Sequence, residues 1–243
     1  MSFRFAPALG AAVLALSGCQ RGPDEAFGQK VRAYLLENPE ILIEVSQKLE
    51  EKRTAEAASL ARAGYEKHKA ALERDPRDLV ANPDGAITVV EFYDYKCGYC
   101  KLVAPDITAL IRENPDVRFV FKEYPIFGGD SLVAAQVMAS PAVRPKALEL
   151  HQRLMAEKAL DAAAIQRNLQ AVGLNPKLVQ ASAESEAVRQ HLTDNHRLAE
   201  ALGIQGTPHF IVGGTAVSGA DMNALRLAIA KARAEMAPKT SAS

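Results

Sequence analysis

The sequence predicts an α/β fold that is preceded by a separate helical segment. Residues 87–93 form a run of apolar, β-branched and aromatic side chains, which favours a buried strand, and an amphipathic helix follows over about residues 98–113. A second predicted strand at residues 117–123, Val-Arg-Phe-Val-Phe-Lys-Glu, completes a β–α–β unit, whose strands are expected to be parallel. Two short apolar runs around Gly213-Gly214 indicate a β-hairpin, and a helical pattern follows at about residues 221–235.

Helical patterns account for most of the remaining chain. Those at about residues 131–203 predict a helical subdomain inserted between the β–α–β unit and the hairpin. Residues 24–75 are also helical in pattern, and turn residues at 75–85 mark a boundary. The predicted organisation is therefore an N-terminal helical stalk at residues 19–80 and an α/β domain at residues 86–236.

The stalk carries an apolar stripe in its first half only. Asn38-Pro39 divides it into two helices, and the stripe has helical spacing across this break: Val31, Tyr34, Leu35, Ile41, Leu42, Val45 and Leu49. Beyond Leu49 the helix is charged and rich in alanine, so this half is expected to remain solvated. Two interpretations stay open: a solvated connector or a cap on the α/β domain, or an oligomerisation segment with contacts at residues 31–49. The heptads are too broken for a sustained coiled coil.

Both ends of the chain are expected to lie outside the fold. Residues 1–18 contain a short apolar segment, and Leu16-Ser17-Gly18-Cys19 resembles a bacterial lipoprotein signal. That resemblance implies cleavage before Cys19 and a lipid on its sulfur, with an ordinary secretory signal as the alternative. Both imply an oxidising compartment, the periplasm, and Gln20 favours the outer membrane. Residues 237–243 are predicted to be a disordered tail.

The charge balance and the cysteine content limit the classes of function that the sequence supports. The chain has 29 basic and 29 acidic residues, and this balance gives no support to nucleic-acid binding. It has three cysteines, so lipidation of Cys19 would leave Cys97 and Cys100 as a lone pair. A chain of this size forms an adequate core without disulfides, which leaves the pair available for chemistry.

Cys97 and Cys100 are predicted to be redox-active. Cys97 falls at the start of the helix after the first strand, where free N–H groups and the helix dipole favour a thiolate. Cys97 is therefore the predicted nucleophile, and Cys100 would resolve a mixed disulfide. A zinc site needs about four ligands and this pair supplies two, so no metal is predicted. A structural disulfide here would close a very short loop and stabilise little.

The cysteine pair and a later proline together resemble a known family. Cys-x-x-Cys at the start of a helix, followed about 110 residues later by Gly206-Thr207-Pro208, resembles the DsbA-like thioredoxin fold with a helical insertion. The resemblance covers about residues 86–236. It implies that Pro208 is cis, that Thr207 and Pro208 shape the substrate cleft, and that Glu91 is a buried acid beneath the dithiol. Glu91 would then exchange a proton with Cys100.

The residues between the cysteines refine this resemblance. Gly98-Tyr99, a predicted part of the cleft, replaces the Pro-His of DsbA and resembles the pair in the isomerase DsbC. The helical stalk and the Tyr124-Pro125 loop resemble the ScsC-type branch, whose N-terminal segment can assemble trimers. His209 would tune Cys97 only if its ring pointed inward, and a solvent-facing ring is the favoured interpretation.

Taken together, these features predict a periplasmic disulfide isomerase with no cofactor beyond the Cys97–Cys100 disulfide. Its expected partners are cysteine-containing secreted proteins, a membrane thiol reductase or oxidase, the membrane through a lipid anchor, and further copies of the chain in a homotrimer. A DsbA-type dithiol oxidase is the alternative within the class. A copper-binding or chaperone-like lipoprotein is the alternative from another class, because two thiolates can hold Cu(I).

Overall fold

A computed structural model describes residues 25–237. The signal peptide, Cys19 and the 238–243 part of the tail lie outside these residues, so their predictions stay predictions. The strands are β1 Leu79–Ala81, β2 Ile87–Tyr93, β3 Val117–Glu123, β4 His209–Val212 and β5 Thr215–Ser218. The α-helices are α1 Glu25–Glu37, α2 Glu40–Glu73, α3 Gly98–Glu113, α4 Gly129–Ala139, α5 Ala147–Ala156, α6 Ala162–Ala171, α7 Pro176–Ala183, α8 Glu186–Ala201 and α9 Met222–Met236, with a 3₁₀ helix at Pro141–Lys146.

Five strands form one mixed sheet in the order β1-β3-β2-β4-β5. β2 and β3 pair in parallel, with Ile87 opposite Val117, whereas β1 and the β4–β5 hairpin pair antiparallel to their neighbours. Gly213 and Gly214 form the hairpin turn with φ of 55° and 83°, a backbone region that favours glycine. The predicted β–α–β unit, helical insertion and β–β–α ending are all present.

The central strand β2 is buried on both faces of the sheet, which explains its nearly continuous apolar sequence. All seven residues of β2 are buried. Val89 and Tyr93 belong to one core cluster, while Val90 and Phe92 belong to a second. A strand covered on both sides has no polar face, so it lacks the alternating pattern of a half-exposed strand.

The segment predicted as a turn-rich boundary, residues 75–85, contains the short strand β1. Leu79, Val80 and Ala81 pair antiparallel with Phe121, Val120 and Phe119 of β3. The prediction missed this strand because three residues are too few for a visible period, and pairing with β3 determines their conformation.

The described residues divide into two compact units, with the division between Arg53 and Thr54 of α2. The expectation that the second half of α2 stays solvated is wrong at its end, because Tyr65 and Leu72 are buried in the cluster that contains Val90. Spaced seven residues apart, these two side chains fall on one helix face, a signal that the dense surrounding charge obscures. The second unit therefore begins ahead of residue 86.

The first unit comprises α1 and the beginning of α2. Within Glu25–Glu37 no residue is buried. The apolar side chains of the predicted stripe are largely exposed, including Tyr34 at 58%, Leu42 at 58% and Val45 at 58%. None of the helices among residues 25–237 is both long enough and apolar enough to cross a membrane.

Candidate active site

Cys97 is the N-cap residue of α3, as the sequence predicts. β2 ends at Tyr93, and a short turn brings Cys97 to the helix start in an extended conformation. The backbone N–H of Cys100 donates a hydrogen bond to Cys97 Sγ over 3.4 Å. An N-cap acceptor normally satisfies one of the free N–H groups of the first helical turn, and here a sulfur atom has that position.

The surroundings of Cys97 favour its thiolate. The thiol of Cys100 donates a hydrogen bond to the Cys97 sulfur, and this interaction makes the largest contribution to a pKa of about 5 for Cys97. Burial opposes the shift, while further hydrogen bonds from neighbouring groups support it. A thiol with this pKa is mostly ionised at neutral pH and is therefore a ready nucleophile.

Cys100 has the opposite character. It is 1% exposed, and its pKa is raised, first because its proton is held in the hydrogen bond to Cys97, then because of burial and the negative charge of Glu91. Cys100 therefore keeps its proton until a base removes it. The two sulfurs are both free thiols in this structure.

Glu91 lies below the dithiol, where the sequence places a buried acid. It is 4% exposed in the centre of β2, and it lines a cavity of about 130 Å³ together with Cys100, Lys101, Thr108, His151 and Gln152. Burial, and secondarily the Cys97 thiolate, raises the pKa of Glu91 to about 8. Its position and pKa suit an acid–base group that exchanges a proton with Cys100.

Thr207 and Pro208 lie against the cysteine pair. The Thr207–Pro208 peptide bond is cis, and Cys97 Sγ lies 3.2 Å from the Thr207 carbonyl oxygen, which accepts a hydrogen bond when Cys97 is protonated. Gly98 and Tyr99 are exposed beside them, Tyr99 at 66%. The structure thus brings the four residues predicted for the cleft next to Cys97.

His209 differs from the favoured expectation of a solvent-facing ring. It is half-buried on β4, and its Nδ1 lies 3.1 Å from Ser218 Oγ on β5. Burial lowers its pKa. Its hydrogen bond is to Ser218, so the structure does not make it a partner of Cys97.

Three residues near the site were not singled out from the sequence. The buried Asp94 accepts backbone N–H groups from Lys96, Ile126 and Phe127 over 2.6, 2.8 and 3.1 Å, and so ties the turn before Cys97 to the loop after β3. Its position directly after a strand was a usable signal. His151 and Lys101 carry no such signal, because the folding of α5 against α3 brings them to the cavity.

Lys101 closes one side of the cavity. Its Nζ donates hydrogen bonds to the carbonyls of Leu154 and Glu157 at the C-terminal end of α5, over 3.3 and 2.6 Å. A cation at a helix C-terminus satisfies free carbonyls and complements the helix dipole. This contact fixes α5, which carries His151, against the helix of the cysteine pair.

Two family models match the chain. The DSBA-like thioredoxin domain matches residues 88–230, and the N-terminal domain of the copper resistance protein ScsC matches residues 25–56. The predicted resemblance to DsbA-like proteins of the ScsC-type branch is confirmed, as is the predicted fold class.

Solved structures agree with this assignment. Salmonella enterica Typhimurium BcfH is 30% identical, with a TM-score of 0.69 over 86% of this chain and 95% of that one. A linker-deletion variant of Proteus mirabilis ScsC is 28% identical, with a TM-score of 0.66 over 92% of this chain and 100% of that one.

A curated relative is much longer than this chain. The Na⁺/H⁺ antiporter NhaA 1 of Salinispora arenicola is 27% identical over 172 residues, which are 65% of this chain and 25% of that protein. The chain thus spans about a quarter of the length of that curated relative.

Proposed function

Because this chain belongs to the family of DSBA-like thioredoxin domains, we propose that it is a periplasmic thiol–disulfide oxidoreductase that isomerises wrong disulfides in secreted proteins. One observation carries the proposal: an acidified thiol, Cys97, lies next to a buried protonated thiol, Cys100, with the carboxyl group of Glu91 lining the cavity below. The reaction needs no cofactor beyond the disulfide that these two cysteines form.

The arrangement supports a stepwise exchange. The Cys97 thiolate attacks a client disulfide and forms a mixed disulfide, while one client sulfur leaves as a thiolate. In isomerisation this client thiolate attacks elsewhere in the client, and a second client thiolate then releases Cys97. If the client does not rearrange, Glu91 takes the Cys100 proton and Cys100 displaces the client. Thr207 and Pro208 hold the client chain beside Cys97.

Isomerisation is further supported by the first unit of the chain. Its exposed apolar side chains at residues 31–49 provide a contact for other copies of the chain, and a homotrimer would space the dithiols apart. The matched ScsC N-terminal domain covers the whole of this stripe. Large exposed apolar patches commonly mark protein interaction sites.

The proposed location is the periplasm, with a lipid anchor at Cys19 in the outer membrane. The sequence around Cys19 supports the anchor, and a solved periplasmic thioredoxin-like protein from Salmonella enterica, which is 28% identical, supports the compartment. The clients would be cysteine-containing secreted proteins. An isomerase must be kept reduced, so a membrane thiol reductase is the proposed redox partner.

The test is reactivation of a scrambled, fully oxidised ribonuclease by the chain that starts at Gln20. We would compare it with a variant in which Leu42→Glu and Leu49→Glu place charges on the stripe. The control carries Glu44→Gln and Lys48→Gln, which alter exposed polar side chains of the same helix. Oligomer mass is measured for each by light scattering.

We expect the stripe variant to become monomeric and to lose most of its isomerase activity, while the control keeps both. Loss of assembly without loss of reactivation would contradict the role of the stripe. If every version oxidises a reduced substrate well and reshuffles poorly, the isomerase proposal fails.

A dithiol oxidase is the second candidate, and the low pKa of Cys97 favours it. Stabilising a thiolate stabilises the reduced dithiol, which makes the disulfide form more oxidising. A membrane oxidase would then be the partner. A reduction potential close to that of thioredoxin would count against this candidate.

Copper handling is a candidate from another class, because the matched N-terminal family is named for copper resistance. Cys97 and Cys100 offer two soft sulfur ligands of the kind that Cu(I) prefers. A chaperone-like lipoprotein would also use the apolar stripe. Comparing metal-free and Cu(I)-loaded protein in the ribonuclease assay separates copper binding from catalysis.

A further inference from the structure

A second buried acid, Glu123, is connected to the cavity below the dithiol by a continuous hydrogen-bonded chain. Tyr93 donates a hydrogen bond to the Glu123 carboxylate. The hydroxyl groups of Tyr93 and Tyr95 lie 3.1 Å apart, and the Tyr95 hydroxyl lies 2.8 Å from His151 Nδ1. His151 in turn lines the cavity that Glu91 and Cys100 also line.

The four side chains of this hydrogen-bonded connection are all buried, and its three rings pack closely. His151 is 6% exposed and Glu123 is 5% exposed. The His151 ring makes edge contacts with Tyr93 and Tyr95 at centroid distances of 4.9 and 5.6 Å. Such packing fixes the hydroxyl groups within hydrogen-bond distance of one another, which a proton relay requires.

The hydrogen-bonded connection is continuous in both protonation states of Glu123. When Glu123 is ionised, Tyr93 donates to it, Tyr95 donates to Tyr93 and His151 Nδ1–H donates to Tyr95. When Glu123 is neutral, each hydrogen bond runs in the opposite direction: Glu123 donates to Tyr93, Tyr93 donates to Tyr95, and Tyr95 donates to His151 Nδ1. The His151 proton is then on Nε2, the ring nitrogen that remains for the cavity. A neutral imidazole has one donor and one acceptor nitrogen, so it can pass a proton on without itself holding charge.

The surroundings of this hydrogen-bonded connection act on Glu123 in opposite directions: burial, the largest effect, favours its neutral form, whereas the hydrogen bond from Tyr93 favours its ionised form. Burial keeps His151 neutral by lowering its pKa to about 3, and burial raises the pKa of Glu123. Asp94 and Asp78 are the charged groups that act on Glu123, and both favour its neutral form. Glu91, Cys100 and Lys101 are the titratable groups at the cavity end.

We propose that Glu123 is a proton acceptor and donor for the dithiol site, connected to Glu91 by Tyr93, Tyr95 and His151. The inference rests on the proposed thiol–disulfide exchange. Glu91 and His151 line one cavity, which is large enough for water. Most of its lining is apolar, and Glu91, Thr108, His151 and Gln152 are polar groups available to hold water there. Glu123, Tyr93, Tyr95 and His151 are therefore positioning residues that act through Glu91.

The proton steps balance as follows. When Cys100 resolves a mixed disulfide, its S–H proton moves to the Glu91 carboxylate, a Cys100–Cys97 bond forms, and the bond from Cys97 to the client breaks. The cysteine pair is oxidised by two electrons, and the client leaves as a thiolate. In the same step, Glu91 passes a proton through cavity water to His151 Nε2, so the rate of resolution depends on the relay. The Nδ1 proton moves to Tyr95, the Tyr95 proton to Tyr93, and the Tyr93 proton to Glu123.

This sequence restores the charge of Glu91 and neutralises Glu123. Glu91 is then again a base for the next resolving step. When the Cys97–Cys100 disulfide is reduced, the same steps run in reverse and return a proton to Cys100. No further reactant is needed.

The test is the reaction of the reduced full chain with dithiobis(nitrobenzoate), which releases coloured thiolate twice. The first release reports attack by Cys97, and the second reports resolution by Cys100. The variants are Tyr95→Phe and Glu123→Gln. The matched control is Tyr65→Phe, which removes a buried tyrosine–glutamate hydrogen bond to Glu73 in the other core cluster.

We expect the first release to be unchanged in all variants. The second should slow by roughly 10-fold in Tyr95→Phe and Glu123→Gln, less than the roughly 100-fold of a direct acid–base group, because Glu91 remains in place. Tyr65→Phe should behave like the unmodified chain. In a Glu91→Gln background, Tyr95→Phe should cause no further slowing.

Equal second-release rates in Tyr95→Phe, Glu123→Gln and Tyr65→Phe would overturn the proposal. A missing first release in the unmodified chain would instead contradict the proposed exchange function. A second measurement uses the unmodified protein, so it does not depend on any variant folding. The rate of the second release is recorded in mixtures of light and heavy water. A curved dependence on deuterium content supports several protons in transit, and a straight line overturns the relay.

Discussion

Lys122 and Asp78 form an ion pair inside the protein, with 2.5 Å between Lys122 Nζ and Asp78 Oδ2. Their side chains are 1% and 0% exposed. Lys122 also donates to the carbonyl of Ala71 at the end of α2, and His191 of α8 lies 3.0 Å from Asp78. Asp75, Asp78 and His191 could offer ligand atoms to a metal, but Lys122 already balances the charge of Asp78, so we interpret the group as an ion-pair network.

Asp78→Asn is expected to lower the free energy of unfolding by about 3–5 kcal/mol, because it leaves the Lys122 charge buried without its counter-ion. The control is Asp116→Asn, which breaks a half-exposed pair with Arg233 and should cost about 1 kcal/mol or less. Urea unfolding of the reduced protein measures both. Equal losses would show that burial does not decide the strength of these pairs.

The pH dependence of alkylation should reveal the acidity of Cys97. Its reaction with iodoacetamide is expected to have a midpoint near pH 5, because hydrogen bonds stabilise the thiolate. Cys100→Ala removes the strongest of these and should raise the midpoint toward the ordinary value of about 8.5. An unchanged midpoint in Cys100→Ala would rule out Cys100 as the main donor. Ultraviolet absorbance of the thiolate gives an independent measurement.

Glu91→Gln should change how stability depends on pH. The folded pKa of about 8 exceeds the unfolded value of 4.5, so the contribution of Glu91 to folding is fully present below pH 4.5 and is lost as pH rises through 8. The difference in unfolding free energy between the reduced Glu91→Gln variant and the parent should therefore shift in favour of the variant, by on the order of 4 kcal/mol, between pH 4 and pH 9. Urea midpoints at the two pH values give this difference. A constant difference between variant and parent would contradict the raised pKa.

Asp94→Asn should loosen the loop beside the cysteine pair. The variant replaces an oxygen that accepts N–H groups with an amide that cannot accept all three, so we expect a loss of about 1–3 kcal/mol in unfolding free energy. The control, Asp130→Asn, removes an exposed carboxylate 3.6 Å from Lys96 and should have little effect. If both variants unfold at the same urea concentration, the backbone contacts of Asp94 do not hold the loop.

Much of the fold could be predicted because local sequence and tertiary environment agree. β2 and β3 have the predicted bounds, since strands buried on both faces are rich in apolar and β-branched residues, and this enrichment is visible in the sequence. α3 was equally clear, because its amphipathic pattern begins at the cysteine pair. The strand β1 and the buried end of α2 were missed, because contacts with distant residues determine them.

The site was predictable to a similar degree. Cys97 and Cys100 were found from their motif at the start of a helix, and Pro208 and Glu91 from the resemblance to DsbA-like proteins. His151 and Glu123 were not found, because they become neighbours only through the packing of α5 against the sheet. A single histidine in a helix and a glutamate at a strand end have no sequence pattern that distinguishes them from surface residues.

The sheet is terminated on both sides by very short strands. β1 has three residues and β5 has four, so each outer strand offers only a few backbone N–H and C=O groups to an incoming extended chain. A protein that meets unfolded clients is exposed to a particular hazard, since such clients can add themselves to a sheet and seed aggregates. Under the proposed function, the short outer strands would limit this addition and leave the region around Cys97 to retain a client chain.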